Sequence, residues 1–394
     1  MRVLYVSAFG GLGGAERSLL ELVVAVRERG IEPMLVCPPG RLSEVARAAD
    51  VPVYTWCARR VTRAYAPHGW LRSLPRVFCG WVGLHRALRQ FRPQAVHVNG
   101  AQGMLWSGPV AALHGCPGVW HWRDFHDSHR VTRTMAHGAD VVVTISEAMH
   151  AFAAQVLATA GRRLVLVRNG VADLPAGDPK EPARLRRLFG IPFGAPLVVM
   201  AGQSVPWKGH AVLLAALTRM TAQRPNLRAW LLAAEYDSSA VAHTRWLRRR
   251  AVELGCGDAV QITQGVEDIA PVLRAADVVV VPSLREPFGR IAVEAMLAER
   301  PVVASAVDGL TEIVAPGKTG LLVPAGRPDC LRMALEQMLA DPPLWRSRGM
   351  EGRRRALQLF SISRAAAEVV SLYATLGRSF AHSRRLDRKG ISVA

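Results

Sequence analysis

Two carboxylates eight positions apart, Glu286 and Glu294, lie in the stretch 278–296, VVVVPSLREPFGRIAVEAM. The stretch opens on an unbroken apolar run, breaks at Pro282 and Ser283, passes Pro287 and Gly289, and resumes with helical spacing at Ile291, Val293, Ala295 and Met296. That pattern predicts a buried parallel strand, a loop and a helix. Ligands of open α/β sheets bind beyond the carboxyl ends of the strands, which puts Glu286 where a ligand would sit and Glu294 one or two turns behind it. Ionised carboxylates accept hydrogen bonds strongly, so this placement suits sugar or ribose hydroxyls. Taken singly, each acid reads more readily as a solvated surface residue; the whole string changes that weighing.

Three further segments carry potential chemistry. In Gly202-Gln203-Ser204-Val205-Pro206-Trp207-Lys208-Gly209, one of only four lysines stands beside a glycine at a helix start. An ammonium there can neutralise a diphosphate leaving group, although a solvated loop lysine is an equal alternative. The loop Gly10-Gly11-Leu12-Gly13-Gly14 follows an apolar strand and opens a helix over 15–29. It lacks the G-x-G-x-x-G spacing, because Glu16 occupies the third glycine position; close approach to an anion and a plain tight turn both remain open. His121, His126, Asp127 and His129 cluster in the sequence, but at no standard metal-ligand spacing, and no D-x-D occurs, so no metal is expected.

The positioning elements are short apolar strands separated by helical patterns. Strands are predicted at 2–6, 33–37, 95–99, 119–122, 140–145 and 164–167. A segment rich in Pro, Gly and charge at 173–182 reads as a linker, and strands resume at 197–200, 228–233, 260–263, 277–281 and 302–304. Such alternation implies α/β architecture with parallel sheets covered by helices on both faces. A chain of 394 residues accommodates two domains, and its apolar fraction of 50% excludes disorder as its overall class. The amino terminus reads as a first strand and not a signal peptide, which gives an expectation of a cytoplasmic protein; the six scattered cysteines read as reduced thiols.

The quoted segments stand in the order found in family 4 of the retaining glycosyltransferases, and the chain resembles that family along nearly all of its ordered length. The resemblance rests on Gly13-Gly14-Ala15-Glu16, Asn169-Gly170-Val171, Trp207-Lys208-Gly209, Pro282-Ser283, E-P-F-G-R-x-x-x-E-A-M from Glu286, Gly309-Leu310-Thr311-Glu312-Ile313-Val314 and Thr319-Gly320-Leu321-Leu322-Val323.

It implies a GT-B fold: two Rossmann-like, doubly wound parallel-sheet domains facing a cleft. Residues 1–172 would form the acceptor domain and 173–361 the nucleotide-sugar domain. A last helix at 362–377 would pack back on the first domain, before a basic, disordered tail at 378–394. The implied activity is retaining transfer of a sugar from a nucleotide-diphosphate sugar to a hydroxyl acceptor, without metal or other cofactor. By the resemblance Glu294 would hold ribose hydroxyls, Glu286 the hydroxyls of the transferred sugar, and Lys208 the diphosphate. Phe288 and Gly289 would offer backbone amides, and Gly13 and Gly14 would let the backbone approach the donor. Two positions depart from the family: Gln203 replaces a common Arg, with Arg290 as a substitute cation, and Arg123-Asp124 stands where His-Asp is usual. The active-site histidine is then His121 or His126.

Two rival readings follow from the same features. A nucleotide-sugar epimerase of this fold would turn over its substrate without an acceptor. A non-enzymatic binder of nucleic acid or another anionic polymer would be favoured by the net charge of +19 alone, but the basic residues form no single stripe. The charge is nevertheless uneven. Between Asp50 and Asp124 there is no acidic residue, while nine arginines alternate with Trp56, Tyr65, Trp70, Phe78 and Trp81. Arginine meets phosphates and tryptophan suits headgroup depth, so this region is the expected acceptor side and a face for the anionic inner membrane, with a lipid-linked saccharide of polysaccharide biosynthesis as an acceptor that satisfies both. Replacing Arg59, Arg60, Arg63 and Arg72 with Gln is expected to abolish salt-sensitive binding to anionic vesicles, since each basic residue near such a surface contributes about 1 kcal/mol. Equal vesicle binding by wild type and variant, or none by either, would assign the acceptor to solution.

Overall fold

The structure, a computed structural model, describes residues 1–56, 74–125, 129–158, 161 and 163–388. It divides into two compact units, Met1–Ala172 with Ile362–Ala394, and Asp173–Ser361. Each has its own parallel sheet, the arrangement expected from the strand-helix alternation.

The first unit contains β1 (Arg2–Ser7), β2 (Glu32–Cys37), β3 (Val53–Thr55), β4 (Ala95–Asn99), β5 (Gly118–Trp122), β6 (Val141–Thr144) and β7 (Arg163–Leu166). Their spatial order is β3-β2-β1-β4-β5-β6-β7, all parallel. The order reverses between β1 and β4, where Val3 pairs with Ala95 and Ser7 with Asn99. Strands at the middle of the sheet are covered on both faces, which is why β1, β4 and β6 read as continuous apolar runs. One layer of the core joins Leu19, Val23 and Val26 of the helix Gly14–Arg27 to Ala366, Val369, Leu372 and Tyr373 of the last helix, Ile362–Arg388.

That last helix corrects an expectation. The residue pattern predicts an end at 377 and a disordered tail at 378–394, whereas the helix continues to Arg388. Ala381, Arg384, Arg385 and Leu386 are good helix formers, no Gly or Pro intervenes before Gly390, and basic residues near a helix carboxyl end complement its dipole.

The second unit contains β8 (Leu197–Gln203), β9 (Arg228–Ala234), β10 (Val260–Gln264), β11 (Val278–Val281), β12 (Val302–Ser305) and β13 (Gly320–Val323), in the order β10-β9-β8-β11-β12-β13. Again all pairs are parallel, and the order reverses between β8 and β11, where Val198 pairs with Val278. The core gathers Leu213, Leu214 and Leu217 under β8 and β9, with Leu335 and Trp345 from the later helices. Cys37, Cys116, Cys256 and Cys330 are free thiols.

If the last helix belongs to the core of the first unit, Leu372→Ala and Leu19→Ala each lower the unfolding free energy by about 2–5 kcal/mol in chemical denaturation. Leu113, 87% exposed, serves as the control, and its replacement by Ala stays within about 0.5 kcal/mol. A Leu372→Ala loss no larger than the control would remove that helix from the core.

Candidate functional site

In the second unit the site is built where the strand order reverses. Adjacent strands there send their connections to opposite sides of the sheet, leaving room beyond their carboxyl ends. β8 runs into a tight turn, Pro206–Lys208, and Gly209 then opens the helix His210–Gln223 with a φ of 79°. A Cβ on Gly209 would lie 1.9 Å from the carbonyl oxygen of Pro282, so only glycine lets this loop touch the one that follows β11. The contact is pinned by Leu284, whose N–H donates to the Trp207 carbonyl at 2.7 Å.

The two loops therefore bring Lys208 and Glu286 together. Lys208 Nζ lies 2.7 Å from Glu286 Oε2, and Ser283 Oγ donates to the same oxygen at 2.9 Å. The main chain of Glu286 is fixed as well: its N–H donates to Asp308 Oδ2 at 2.9 Å, and its carbonyl accepts from the Gly309 N–H at 3.1 Å. Glu286 is only 6% exposed, so its charge depends on these partners. Every side-chain bond it makes among the described residues falls on Oε2, which leaves Oε1 as an acceptor. Asp308 was not singled out in the sequence; the Asp308-Gly309 pair is the turn signal that would have found it.

Gly289 has a φ of 107° and starts the helix Arg290–Leu297. Within that helix Arg290 Nε binds Glu294 Oε1 at 2.7 Å, an i to i+4 pair that is mostly buried. Phe288 is buried beside it. Both acids of the motif thus hold a basic partner, Glu286 from a neighbouring loop and Glu294 from its own helix.

In the first unit, beyond β1, β4 and β5, a polar network replaces apolar packing. His121 lies on β5 and is buried, with Nδ1 3.0 Å from His97 Nε2 on β4. Arg123, also buried, holds Asn99 Oδ1 through Nε and Asn169 Oδ1 through Nη1 at 2.9 Å, and approaches His121 Nδ1 with Nη2 at 3.3 Å. Asn169 Nδ2 continues to Ser18 Oγ at 3.0 Å. Tyr373 of the last helix reaches His97 Nδ1 at 2.6 Å, and Tyr5 stands 3.0 Å further on.

The guanidinium can only donate, and this sets the protons along the chain. His121 Nδ1 accepts and His97 donates from Nε2, with the Tyr373 hydroxyl against His97 Nδ1. The proton of His121 then sits on Nε2, which is buried and has no partner among the described residues. Burial, the Arg123 charge and His97 hold the His121 pKa well below the ordinary range; burial and Arg123 hold His97 at about 3. His121 is therefore a neutral hydrogen-bond donor, unsuited to act as a cation.

The glycine loop sits beside this network. A Cβ on Gly14 would meet nothing within 4 Å, whereas one on Gly10 would strike the Pro39 carbonyl. Open space thus lies at the helix end of the loop. Glu16, in the first turn of that helix, has its pKa raised to about 7 by burial, with Asp124 adding to the rise and nearby N–H groups and Arg123 opposing it. His126, Arg59, Arg60, Arg63 and Arg72 lie outside the described residues. Among the described residues no three His, Cys, Asp or Glu side chains gather to hold a metal ion.

Known proteins resemble the chain in both units. The family described as Glycosyltransferase Family 4 matches residues 12–173, and that described as Glycosyl transferases group 1 matches 195–341. The D-inositol 3-phosphate glycosyltransferase of Corynebacterium efficiens is 35% identical over 217 residues, 54% of this chain and 50% of that protein. The alpha-maltose-1-phosphate synthase of Mycolicibacterium smegmatis is 31% identical over 262 residues, 62% of this chain and 65% of that one. The chain spans about half the length of the first of these curated relatives. Among solved structures, Anabaena HepE in complex with UDP and glucose superposes with a TM-score of 0.81 at 22% identity, covering 95% of this chain and 99% of that one. Sucrose-phosphate synthase from Thermosynechococcus elongatus gives 0.81 at 22% identity, covering 96% and 100%. At those identities the likeness is one of fold.

The buried groups make stability depend on pH. His97 and His210, both held at about 3 chiefly by burial, and His121 stay neutral in the folded chain, while in the unfolded chain they take up protons below the ordinary 6.5. Their contribution is complete above 6.5 and is lost as pH falls. Glu16 opposes this between about 7 and 4.5, because the folded chain binds its proton first. Three groups outweigh one, so the urea midpoint is expected to be lower at pH 5 than at pH 7.5. An equal or higher midpoint at pH 5 would contradict the buried neutral histidines.

Proposed function

The chain belongs to the group 1, family 4 glycosyltransferases, and from that premise we propose that it transfers a sugar, with retention of configuration, from a nucleotide-diphosphate sugar to a hydroxyl acceptor. The observation that carries the reading is the Lys208–Glu286 pair, held at 2.7 Å where the strand order of the second unit reverses. In this reading Glu286 accepts from a hydroxyl of the transferred sugar through Oε1, while Lys208 and Ser283 hold Oε2. The remaining N–H groups of Lys208 face the diphosphate and offset the charge that builds as the sugar–phosphate bond breaks. Glu294 takes the ribose hydroxyls, steadied by Arg290. Phe288 and Gly289 lie at the start of the helix Arg290–Leu297, where backbone N–H groups favour anions. The solved HepE complexes with UDP and with UDP-glucose support a nucleotide-sugar as donor.

Retention needs no enzymic nucleophile here. The departing phosphate oxygen takes the acceptor proton as the hydroxyl oxygen bonds to the anomeric carbon on the same face. Catalysis then consists of positioning and of charge stabilisation. His121, neutral and with Nε2 shielded from solvent, helps order the network around Arg123, and Gly14, where an added Cβ would meet nothing within 4 Å, leaves open space at the helix end of its loop. The acid-free region favours a membrane-borne, lipid-linked acceptor; no described helix is long and apolar enough to cross a bilayer.

Lys208→Ala and Glu294→Ala are each expected to weaken UDP-sugar binding in calorimetry about ten- to a hundredfold, the loss of a hydrogen bond to a charged group. Unchanged affinity in both variants would end the donor-site assignment. Transfer is expected to persist in a chelator; loss of turnover that manganese or magnesium restores would make the enzyme metal-dependent.

A further inference from the structure

At the opposite end of the second sheet lies a cavity of about 460 Å³ whose lining includes four arginines, Arg186, Arg274, Arg300 and Arg346, against two acids, Asp277 and Glu299. Asp277 precedes β11 and Arg300 precedes β12, so the cavity opens at the amino ends of the strands whose carboxyl ends carry the loops of Lys208 and Glu286.

The acids are already engaged. Asp277 Oδ2 takes Arg186 Nη2 at 2.7 Å and the Leu197 N–H at 2.8 Å, and Glu299 faces Arg353 at 3.8 Å. Arg274 is held by Glu181 at 3.7 Å and by the Pro175 carbonyl. Arg300 differs. Its only side-chain bond among the described residues runs from Nε to the Ala298 carbonyl at 3.2 Å, and both terminal amino groups are left over. Burial lowers its pKa, and Arg346 and Arg186 add to the fall against the pull of Asp277 and Glu299. Arg346 is exposed and makes no hydrogen bond or ion pair among the described residues.

We propose that this cavity binds a small phosphate-bearing ligand, with the Arg300 fork and Arg346 as its principal contacts. A half-buried guanidinium with two unspent amino groups matches two phosphate oxygens in a bidentate geometry that water reproduces poorly. The volume falls in the range of small-molecule pockets, about 300–1,000 Å³, and exceeds what one inorganic ion fills. Because the cavity lies at the far end of the sheet, occupancy leaves the Lys208 loop open, and the site is independent of the sugar-transfer reading.

Calorimetric titration of the full chain with inorganic pyrophosphate tests it. The Lys208→Ala variant serves as the reference background, so that any contact with the diphosphate-binding loop is weakened. In that background pyrophosphate is expected to bind, and Arg300→Gln to weaken the binding at least about tenfold. Arg346→Gln, which alters an exposed residue and leaves folding intact, is expected to weaken it in the same direction. No binding in the Lys208→Ala background, or isotherms unchanged by both arginine substitutions, would overturn the proposal.

Discussion

The ion pair between Lys208 and Glu286 is the interaction on which the candidate site depends. A carboxylate this far from water is costly unless a cation and further donors hold it, and breaking such a pair by removing one partner typically costs about 3–5 kcal/mol. The pair forms only because β8 and β11 are neighbours, although 74 residues of chain, including β9 and β10, separate the two strands in sequence. It further requires that Gly209 carry no side chain, since the Pro282 carbonyl occupies that space. Sheet order, a glycine and a buried charge thus form one constraint, and Ser283 and Asp308 complete it.

The first unit also buries a charged side chain, Arg123, beside amides and imidazoles. Beyond β4 and β5 it buries Arg123 against two asparagines and a histidine pair, and ties that network to the last helix through Tyr373. Two amides and the His121 imidazole lie within hydrogen-bond reach of the guanidinium, which orders the protons of its neighbours. His121 thereby presents a fixed N–H and no charge. The last helix contributes to this interior as well as covering it, because Tyr373 is both a core residue and a hydrogen-bond partner of His97.

Much of this was legible in the sequence, and what was missed has identifiable causes. The α/β class and the two sheets followed from runs such as Val278–Val281, which a parallel strand buried on both faces requires. β3 and β13 were not anticipated as strands; both are edge strands, only partly buried, and lack such a run. Charge and a shortage of apolar residues predict disorder beyond 377, yet helix-forming residues carry the helix to Arg388. Within the site, Glu286, Glu294 and Lys208 stood out by local pattern, whereas the bond from Tyr373 to His97 spans 276 positions and leaves no local trace. Arg123 was seen as a departure from a family pattern, and its burial with Asn99 and Asn169 emerges only once β4 and β5 lie side by side.

The central claim, that Lys208 and Glu286 act as a unit on the donor, is tested most directly by a double-mutant cycle on UDP-sugar affinity, using Lys208→Met, Glu286→Gln and the double variant. The account predicts that the two losses are not additive, with a coupling of about 1 kcal/mol or more, since the lysine is paired with the carboxylate proposed to receive the sugar hydroxyl. Strict additivity of the two single losses would contradict it.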